Sequence, residues 1–455
     1  MAPGQWVHMI GIAGAGMSGI ARVLCEQGIK VTGSDLQSNQ VTEALEAMGI
    51  EVYQGHSPVH IREGVDLVVI SSAIPMENSE LQRAREKRLP ILKRGQMLAR
   101  IMNNLQGIAV AGAHGKTTTT SMLYSVLEEA GVSPTLIVGG EFQDSQPGAK
   151  LGSGEYAVVE ADESDASFLE LHPHIAVITN IEDDHLDYYH SLDNIQKAFK
   201  MFLQGVKAGG FAVVYGEDPY IRSISGELNT PMVTFGEREE NDYAIRNWTP
   251  REGGAHFSAL YRGTVLGEVD LAVPGKHNAL NALAAIAVSQ EMGLGMEAVC
   301  RALFEFKGAK RRFQLMGEGP GVRVVDDYAH HPTEIKATIQ AARTYLPGAR
   351  LVVVFQPHRY TRTQLLGKQL GEALAAADLV IVTDIYSAGE KSIAGVSAES
   401  VHLAIQEAGG RSTYLPSFSS VEGFLIDNRG EKDLVVTMGA GDVWRVGVNL
   451  LHRLQ

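Results

Sequence analysis

The segment from Ile108 to Ser121, with the sequence IAVAGAHGKTTTTS, contains the residues best suited to bind a phosphate group. An apolar run predicts a buried strand, and Gly112, Gly115 and Lys116 separate it from an apolar-periodic segment that predicts a helix. Glycines allow several backbone N–H groups to point at one anion, and the helix N-terminus adds the positive end of its dipole. Lys116 can reach the terminal phosphates of a nucleotide, and the Thr117 hydroxyl can bind Mg²⁺. The sequence therefore predicts a shortened phosphate-binding loop.

A dense acidic stretch follows a second apolar run, EYAVVE, which ends at Glu160. Asp162, Glu163 and Asp165 lie just behind it. Carboxylates beside a bound polyphosphate would repel it unless a cation lay between them, and Mg²⁺ prefers oxygen ligands. The acidic run therefore indicates that a cation binds near it, and a solvated acidic loop is the alternative.

A second glycine pattern lies near the start of the chain, after the apolar run WVHMIGI. Gly14, Gly16 and Gly19 have the spacing of a dinucleotide-binding loop, and Asp35 follows at the end of the next strand. Such a loop at the start of a helix offers backbone N–H groups to a pyrophosphate. One interpretation is a dehydrogenase that binds NAD there, with Asp35 on the ribose.

The elements that must position these motifs alternate between apolar strands and helices along most of the chain. That alternation predicts an α/β fold with three domains, each built on a mostly parallel, doubly wound sheet. We place a Rossmann-like N-terminal domain at residues 1–102, a P-loop central domain at 103–312 and a Rossmann-like C-terminal domain at 313–455. Residues 243–271 alternate apolar and polar side chains, which predicts a small antiparallel sheet. Each candidate site then follows the carboxyl end of a strand, where open α/β sheets bind ligands.

The composition narrows the classes of partner that the chain can have. The chain has 455 residues, a net charge of −14 and no basic run, so no nucleic-acid partner is expected. Its two cysteines, Cys25 and Cys300, lie in helix-like segments and are expected to be buried apolar residues rather than a disulfide or a metal site. The sequence shows neither a secretory signal nor a bilayer-spanning run, so we expect no membrane partner and a cytoplasmic location.

Four motifs together resemble the Mur ligase family, the ATP-dependent amino-acid ligases of peptidoglycan precursor synthesis: GAHGKTTTT, EADESDASF, TNIEDDHLDYY and PGKHNALNALAA. Three further stretches are most similar to the family member that joins L-alanine to UDP-N-acetylmuramate: GIAGAGMSGIA with VTGSD, VDDYAHHPTEI, and FQPHRYTRT with DIYSAGE. The resemblance extends over essentially the whole chain. It implies three domains that bind the UDP-sugar, ATP and the amino acid in that order, with ATP and Mg²⁺ as cofactors. It also implies activation of the substrate carboxylate as an acyl phosphate, which the amine then attacks.

The resemblance implies roles for individual residues. For ATP, the implied residues are Gly112, Ala113, His114, Gly115, Lys116, Thr117, Thr118, Asn278, Asn281, Arg312 and Asp327. Of these, the two asparagines are expected to contact the adenine, and Asp327 could accept from the ribose hydroxyls. For the UDP-sugar, they are Gly14, Ala15, Gly16, Gly19, Asp35, Ser71 and Ser72. For the amino acid, they are Tyr328, His330, His358, Arg359 and Arg362, and for Mg²⁺ they are Thr117, Glu160 and His185. Lys116, His330 and Arg359 are expected to take part in catalysis.

Several of these residues also have simpler interpretations. Asn278 could cap a helix, and Ser71 and Ser72 could form a plain strand-to-loop turn. His185, on its chemistry alone, would be a capping or core histidine, because Mg²⁺ prefers oxygen. Some family members carry a carbamylated lysine downstream of this histidine; Lys200 lies at about the right distance, although a surface helix lysine is the favoured interpretation.

At the boundary before the third domain, Arg311 and Arg312 could reach a γ-phosphate once the domains close. Four functions are considered as alternatives. They are the L-alanine ligase, a murein tripeptide recycling ligase of the same family, an NAD-dependent dehydrogenase, and a nucleotide-binding switch. The dehydrogenase would leave the phosphate loop and the last third of the chain unexplained, and the arginines and histidines of that last third argue against a simple switch. We expect the protein to be a monomer or a weak homodimer.

Overall fold

The computed structural model describes residues 4–140 and 148–454, and it contains three β-sheets flanked by helices. The chain divides into two compact units. The first unit consists of Met1–Ile245, Ala259–Gly267 and Leu280–Leu303, and the second of Arg246–Ser258, Glu268–Ala279 and Phe304–Gln455. The first unit therefore contains the first sheet and most of the second, and the second unit contains the third sheet.

The first sheet has five strands in the order β3-β2-β1-β4-β5, and every neighbouring pair is parallel. This is the predicted doubly wound pattern, in which the strand order reverses beside β1 and opens a crevice at the carboxyl ends. Its strands are β1 Trp6–Ile10, β2 Lys30–Asp35, β3 Glu51–Gln54, β4 Leu67–Ile70 and β5 Ile91–Lys93. Its helices are α1 Ala15–Glu26, α2 Gln40–Ala47, α3 Ser79–Glu86 and α4 Arg94–Met102.

The second sheet has ten strands in the order β15-β14-β13-β12-β11-β10-β6-β9-β7-β8. Its strands are β6 Gln106–Ala111, β7 Thr135–Ile137, β8 Ala149–Lys150, β9 Tyr156–Glu160, β10 Ile175–Ile178, β11 Phe211–Tyr215, β12 Met232–Gly236, β13 Tyr243–Arg251, β14 Gly254–Tyr261 and β15 Thr264–Leu271. The helices of this region are α5 Lys116–Glu129, α6 Leu186–Tyr189, α7 Leu192–Gln204, α8 Pro219–Ser225, α9 Lys276–Glu291 and α10 Met296–Glu305. β6, which leads into the phosphate loop, lies between β10 and β9 and is parallel to both.

The strands predicted for residues 243–271 are formed and neighbour one another, but they do not make a small sheet of their own. Instead, β13, β14 and β15 extend the second sheet, because β13 pairs in parallel with β12 through Phe235–Tyr243 and Gly236–Ala244. The alternation of apolar and polar residues correctly indicated strands, but a local pattern does not specify which neighbour a strand pairs with. The boundary between the two units passes through these three strands.

The third sheet has six strands in the order β16-β17-β21-β18-β19-β20. Only β16 is antiparallel to its neighbour among these described strands. The strands are β16 Gln314–Gly319, β17 Val322–Asp327, β18 Arg350–Phe355, β19 Leu379–Val382, β20 Ser412–Tyr414 and β21 Asp433–Met438. The helices are α11 Pro332–Tyr345, α12 Tyr360–Leu374, α13 Glu399–Glu407, α14 Phe418–Asp427 and α15 Trp444–Leu454.

One hydrophobic core joins the first sheet to the second. Buried residues from both regions belong to a single cluster, which extends from Val7 to Ile224. Gly19 in α1 shows how close the contact is, because a Cβ added there would lie 3.2 Å from the Cβ of Ala149 in β8. None of the helices in the described part of the chain has both the length and the apolar character needed to cross a membrane.

Candidate active site

The phosphate loop has the backbone conformation that its glycines predict. Gly115 has a φ of 81° and caps the N-terminus of α5, and Gly112 has a φ of 136°. A Cβ at Gly112 would lie 2.1 Å from the Thr179 hydroxyl, and one at Gly115 would lie 2.6 Å from the Asn281 side-chain oxygen. Both positions therefore require glycine. A Cβ would clash at each of them, and each has a positive φ angle that L side chains rarely adopt.

Lys116, the first residue of α5, is held in the middle of this loop. Its Nζ donates to the carbonyl oxygens of Gly112 at 2.7 Å and Ala113 at 3.2 Å, and to Oε1 of Glu163 at 2.7 Å. Burial by itself would lower the pKa of Lys116, but the carboxylates of Glu163 and Glu160 outweigh that effect and raise it. The ammonium group is therefore charged at neutral pH and is fixed at the helix N-terminus.

Thr117 and Glu160, both predicted as Mg²⁺ ligands, lie in contact. The Thr117 hydroxyl lies 3.1 and 3.2 Å from the two carboxylate oxygens of Glu160, and the backbone N–H of Gly139 donates to Oε2 at 2.8 Å. β6 and β9 bring the two side chains together, because they are parallel neighbours that end at the same edge of the sheet. Thr118 is buried in the same turn.

His185, the third predicted Mg²⁺ ligand, lies beside Glu163. Its Nε2 is 3.7 Å from Oε1 of Glu163, and its backbone φ is 58° at the start of α6. The other carboxylate oxygen of Glu163, Oε2, is buried and has no hydrogen-bond partner among the described residues. Tyr189, one turn beyond His185, donates its hydroxyl hydrogen to the Glu163 carbonyl oxygen at 2.6 Å.

Residues after β10 support the loop from one side, and the sequence analysis did not identify them. Asn180 accepts from the backbone N–H of His114 at 2.9 Å and donates to its carbonyl oxygen at 3.1 Å. Thr179 also donates to the His114 carbonyl oxygen, at 2.5 Å, and Glu182 lies 3.2 Å from the His114 ring. The signal that could have identified them is their position in TNIEDDH, directly after a buried strand.

The two asparagines assigned to the adenine have different surroundings. Asn281 lies next to Gly115, as described above, so it reaches the phosphate loop itself. Asn278 is buried and donates from Nδ2 to the carbonyl oxygen of Pro274 at 2.7 Å, which ties the start of α9 to the preceding loop. The nearby His277 is half-buried beside Arg312, and desolvation together with the charge of Arg312 lowers its pKa to about 4.

In the second unit, the two boundary arginines take different partners. Arg311 donates to Oδ2 of Asp326 at 3.0 Å and to the carbonyl oxygen of Gly439 at 2.6 Å, so it is bound within the domain. Arg312 makes a longer contact of 3.4 Å with Glu334. Both guanidinium groups lie about 5 Å from the centre of the Tyr328 ring, at 5.0 and 5.1 Å.

Asp327, predicted to bind the ATP ribose, is engaged by its own domain. Its carboxylate accepts from the backbone N–H groups of Phe313 at 2.7 Å and Ala329 at 2.8 Å, and from the Thr338 hydroxyl at 3.2 Å. Burial raises its pKa to about 6. These contacts give Asp327 a structural role at the end of β17, and its contact with ribose stays a prediction.

The histidines predicted for the amino-acid site lie together. The rings of His330 and His358 are 5.8 Å apart, Tyr328 packs edge-on against His330, and Tyr386 stacks on His358. The ring Nδ1 of His330 lies 2.9 Å from the Tyr328 carbonyl oxygen, which favours the tautomer with the proton on Nδ1. Burial, His330 and Arg362 lower the pKa of His358 to about 3, so this ring is neutral.

Arg359 and Arg362 lie at the N-terminus of α12. Arg359 is the residue before the helix, with a φ of 67°, and Arg362 lies three residues later, 3.3 Å from the His358 ring. Helix N-termini favour anions, so two arginines there are stabilised when an anion binds between them. Glu390, which the sequence analysis did not identify, accepts from the backbone N–H and hydroxyl of Thr361 in the same turn.

The first glycine loop is held by Asp35, the residue proposed above to bind a ribose. Its Oδ2 accepts from the backbone N–H of Ala13 at 2.9 Å. Gly14 precedes α1, which begins at Ala15, and a Cβ at Gly16 would lie 3.0 Å from the Arg94 side chain. Ser71 lies against this loop, since a Cβ at Gly11 would lie 3.1 Å from its Cβ, whereas Ser72 is exposed.

Family models for three Mur ligase domains match this chain in order. The Mur ligase family catalytic domain matches residues 6–106, the Mur ligase middle domain matches 110–289, and the Mur ligase glutamate ligase domain matches 311–441. The chain belongs to the Mur ligase family. Membership of the Mur ligase family confirms the three-domain α/β fold and the class of enzyme, a ligase.

Named members of the Mur ligase family match along the full length. A UDP-N-acetylmuramate–L-alanine ligase of Syntrophomonas wolfei is 58% identical, with 99% of this chain and 98% of that protein covered. The crystal structure of the UDP-N-acetylmuramate-alanine ligase MurC from Thermotoga maritima has a TM-score of 0.84 and 30% identity, covering 98% of each chain. A murein peptide ligase from Psychrobacter arcticus has a TM-score of 0.74 and 25% identity, covering 99% of each chain.

The residues of the loop fit the nucleotide and the cation that a Mur ligase is expected to use. Gly112 and Gly115 have positive φ angles and no room for a Cβ, and they form a glycine turn at the start of a helix, an arrangement that suits a polyphosphate. The oxygen atoms of Thr117 and Glu160 suit a hard divalent cation, and the buried, unpartnered Oε2 of Glu163 suits a positive charge. Lys200 forms an ion pair with the exposed Glu227, which agrees with a surface lysine.

Proposed function

We propose that this protein is an ATP-dependent ligase that joins L-alanine to the carboxylate of UDP-N-acetylmuramate, giving UDP-N-acetylmuramoyl-L-alanine, ADP and phosphate. The observation that carries the chemistry is the fixed, charged Lys116 at the N-terminus of α5, surrounded by the Gly112 and Ala113 carbonyl oxygens and Glu163. The choice of substrates is supported by the full-length relative of 58% identity. The reaction supplies a peptidoglycan precursor. We further propose that the protein is cytoplasmic and is a monomer or a weak homodimer.

In this mechanism, Lys116 places a positive charge next to the phosphoryl group that is transferred to the substrate carboxylate, forming the acyl phosphate. Thr117 and Glu160, with His185 beside Glu163, would hold Mg²⁺, which neutralises charge on the phosphates when bound. Asn281 and Thr118 lie in the same loop region and contribute to nucleotide positioning. These residues act mainly by holding charges at fixed distances, since phosphoryl transfer needs little covalent chemistry from the protein.

The amino-acid site is proposed at the N-terminus of α12. Arg359 and Arg362 bind the α-carboxylate of L-alanine, because two guanidinium groups at a positive helix end attract one small anion. His330, with its proton on Nδ1, has Nε2 as its basic atom and lies near the incoming amine, where it assists proton removal. Tyr328 and His358 complete the walls of this site.

The UDP-sugar is proposed to bind at the glycine loop of the first sheet. The backbone N–H groups of residues 14–16 at the start of α1 receive the diphosphate, with Ser71 beside them. Asp35 supports the loop through Ala13. Membership of a family of ligases argues against NAD at this loop, and the relatives described above are named as ligases.

The test is phosphate release from ATP in the presence of UDP-N-acetylmuramate with single amino acids added in turn. We expect release that depends on both the UDP-sugar and L-alanine, and a product whose mass equals the sum of the two substrates minus water. Release that requires a murein tripeptide and not L-alanine would instead indicate a murein tripeptide recycling ligase. The TM-score of 0.74 to a murein peptide ligase supports this second candidate. Release without any UDP-sugar would contradict both.

A further inference from the structure

A buried carboxylate in the first sheet domain holds three separate segments together, and neither the sequence analysis nor the proposed mechanism uses it. Glu80, in the first turn of α3, is fully buried. Its Oε2 accepts from Ser34 at 2.7 Å and lies 3.0 Å from the His8 ring. Its Oε1 accepts from the backbone N–H of Ser57 at 3.0 Å and lies 2.7 Å from the His60 ring. We refer to these five residues as the Glu80 cluster.

The Glu80 cluster is built for a negative charge. Burial alone would raise the pKa of Glu80, but the hydrogen bonds from His8, Ser34 and His60 outweigh burial and lower it to about 2. The position in the first turn of α3 also favours an anion, because the helix dipole is positive there. His56 adds a third imidazole, 3.6 Å from Oε1 and 3.0 Å from the Ser34 hydroxyl. Glu80 is therefore ionised at neutral pH, and several hydrogen-bond donors contact its carboxylate.

Ser34 connects this anion to the glycine loop. Its carbonyl oxygen accepts from the backbone N–H groups of Gly11 at 2.8 Å and Ile12 at 3.0 Å. The next residue, Asp35, accepts from Ala13 at 2.9 Å. The end of β2 thus holds three consecutive residues of the loop that precedes α1. The loop has little room to move, since a Cβ at Gly11 would lie 3.1 Å from Ser71.

We propose that Glu80 is a positioning residue for the UDP-sugar: by fixing Ser34 at the end of β2, it holds the glycine loop in the conformation that receives the diphosphate. This inference rests on the proposed function of the first domain. Glu80 itself lies in the core and touches no substrate. Its effect is transmitted through one hydroxyl group and the backbone of β2, and a small displacement there would turn the N–H groups of the loop away from a bound diphosphate.

The test compares two neighbouring, equally buried positions on β2. Ser34→Ala removes the hydroxyl that joins Glu80 to the loop-bearing end of the strand. Thr32→Val is the matched control, since the Thr32 hydroxyl contacts Trp6 and His8 but neither Glu80 nor the loop. Losing a hydrogen bond to a charged group typically changes an equilibrium constant by roughly ten- to a hundred-fold, and here the equilibrium is the one that holds the loop in its receiving conformation. We expect that increase in KM for UDP-N-acetylmuramate in Ser34→Ala, with KM for ATP and L-alanine within about two-fold; Glu80→Gln should behave likewise.

Calorimetric titration of UDP into the full chain provides a readout that does not depend on the ligase reaction. We expect weaker UDP binding in Ser34→Ala and Glu80→Gln and unchanged binding in Thr32→Val, with melting temperatures recorded for all three. A merely structural role would lower melting temperature and the active fraction without changing KM or UDP affinity, and that result would overturn the proposal. UDP that fails to bind the unmodified chain would also overturn it. If UDP binds but no phosphate is released with UDP-N-acetylmuramate, the proposed reaction fails while the positioning role is still decided by the UDP titrations.

Discussion

At the scale of single residues, the site depends on where charges are held and what holds them. The Lys116 ammonium is surrounded by oxygen atoms of its own loop and by Glu163. The second unit has the opposite arrangement, because Arg359 and Arg362 meet at a helix end that is itself positive. The first arrangement suits a cation that is held in place beside a phosphate, and the second suits the binding of an anion.

Lys116→Ala should reduce turnover by at least about a hundred-fold, because removing one fixed charge-stabilising donor typically costs two to three orders of magnitude in rate. Lys150→Ala is the control, since Lys150 is exposed and pairs with Glu128 in the same domain. The measurement is steady-state phosphate release, with circular dichroism to check folding. Turnover in Lys116→Ala equal to that of the Lys150→Ala control would show that the loop does not bind the transferred phosphate.

Arg362→Ala should raise KM for L-alanine by roughly 30- to 150-fold, the cost of losing a charged hydrogen-bond partner, and change KM for ATP much less. Arg343→Ala serves as control, since this arginine pairs with Asp378 on the surface of the same domain. His330→Ala should lower kcat more than it changes KM for L-alanine, as expected of a group at the amine. If Arg362→Ala weakens ATP and leaves L-alanine unaffected, the arginine belongs to the phosphates.

At the scale of elements, every proposed site lies where a strand ends and a helix begins. β6 ends at Ala111 and α5 begins at Lys116, β1 ends at Ile10 and α1 begins at Ala15, and β18 ends at Phe355 and α12 begins at Tyr360. Each junction is four residues long and points backbone N–H groups of a new helix at the same edge of its sheet. The junction at α5 depends most strictly on glycine, since Gly115 combines a positive φ with a close neighbour.

Gly115→Ala should weaken nucleotide binding beyond the effect of backbone strain. Gly131, just beyond the other end of α5, has a similar φ of 75° but open space around the position of a Cβ, so Gly131→Ala is the matched control. Both substitutions should cost about 1–2 kcal/mol of stability from the left-handed backbone. Only Gly115→Ala also displaces Asn281, and only it should raise KM for ATP. Equal KM values in the two variants would show that the contact with Asn281 has no part in binding.

At the scale of the whole molecule, three functional domains are carried by two compact units. The first and second sheets share one hydrophobic core, which includes Ile20 of α1 and Leu203 of α7. The third sheet has its own cores, one of which includes Leu374 of α12. Residues that pack in one core usually unfold together as one cooperative unit. The domains proposed to bind different ligands therefore need not be the units that unfold separately.

Ile20→Ala and Leu203→Ala should lower the melting temperature of the same calorimetric transition, although they belong to different functional domains. Each removes a fully buried side chain and should cost about 2–5 kcal/mol. Leu374→Ala, equally buried but in the third sheet domain, should lower a different transition. Scanning calorimetry of the full chain measures all three. Two separate transitions for Ile20→Ala and Leu203→Ala would contradict a shared core.

The sequence by itself determined the features that are local along the chain. The phosphate loop, its helix and the α/β alternation follow from short-range spacing, because a strand, a glycine turn and a helix start are set by neighbouring residues. The contacts of Lys116 with Glu163, of Glu80 with His8 and Ser34, and of His358 with Tyr386 join residues that are 28 to 72 positions apart. The Asp327 carboxylate, which accepts from the backbone N–H of Phe313 14 positions earlier, is a contact of the same kind over a shorter separation. Only the tertiary structure decided these, because the order of strands in a sheet, which no local pattern encodes, selects which strand ends meet.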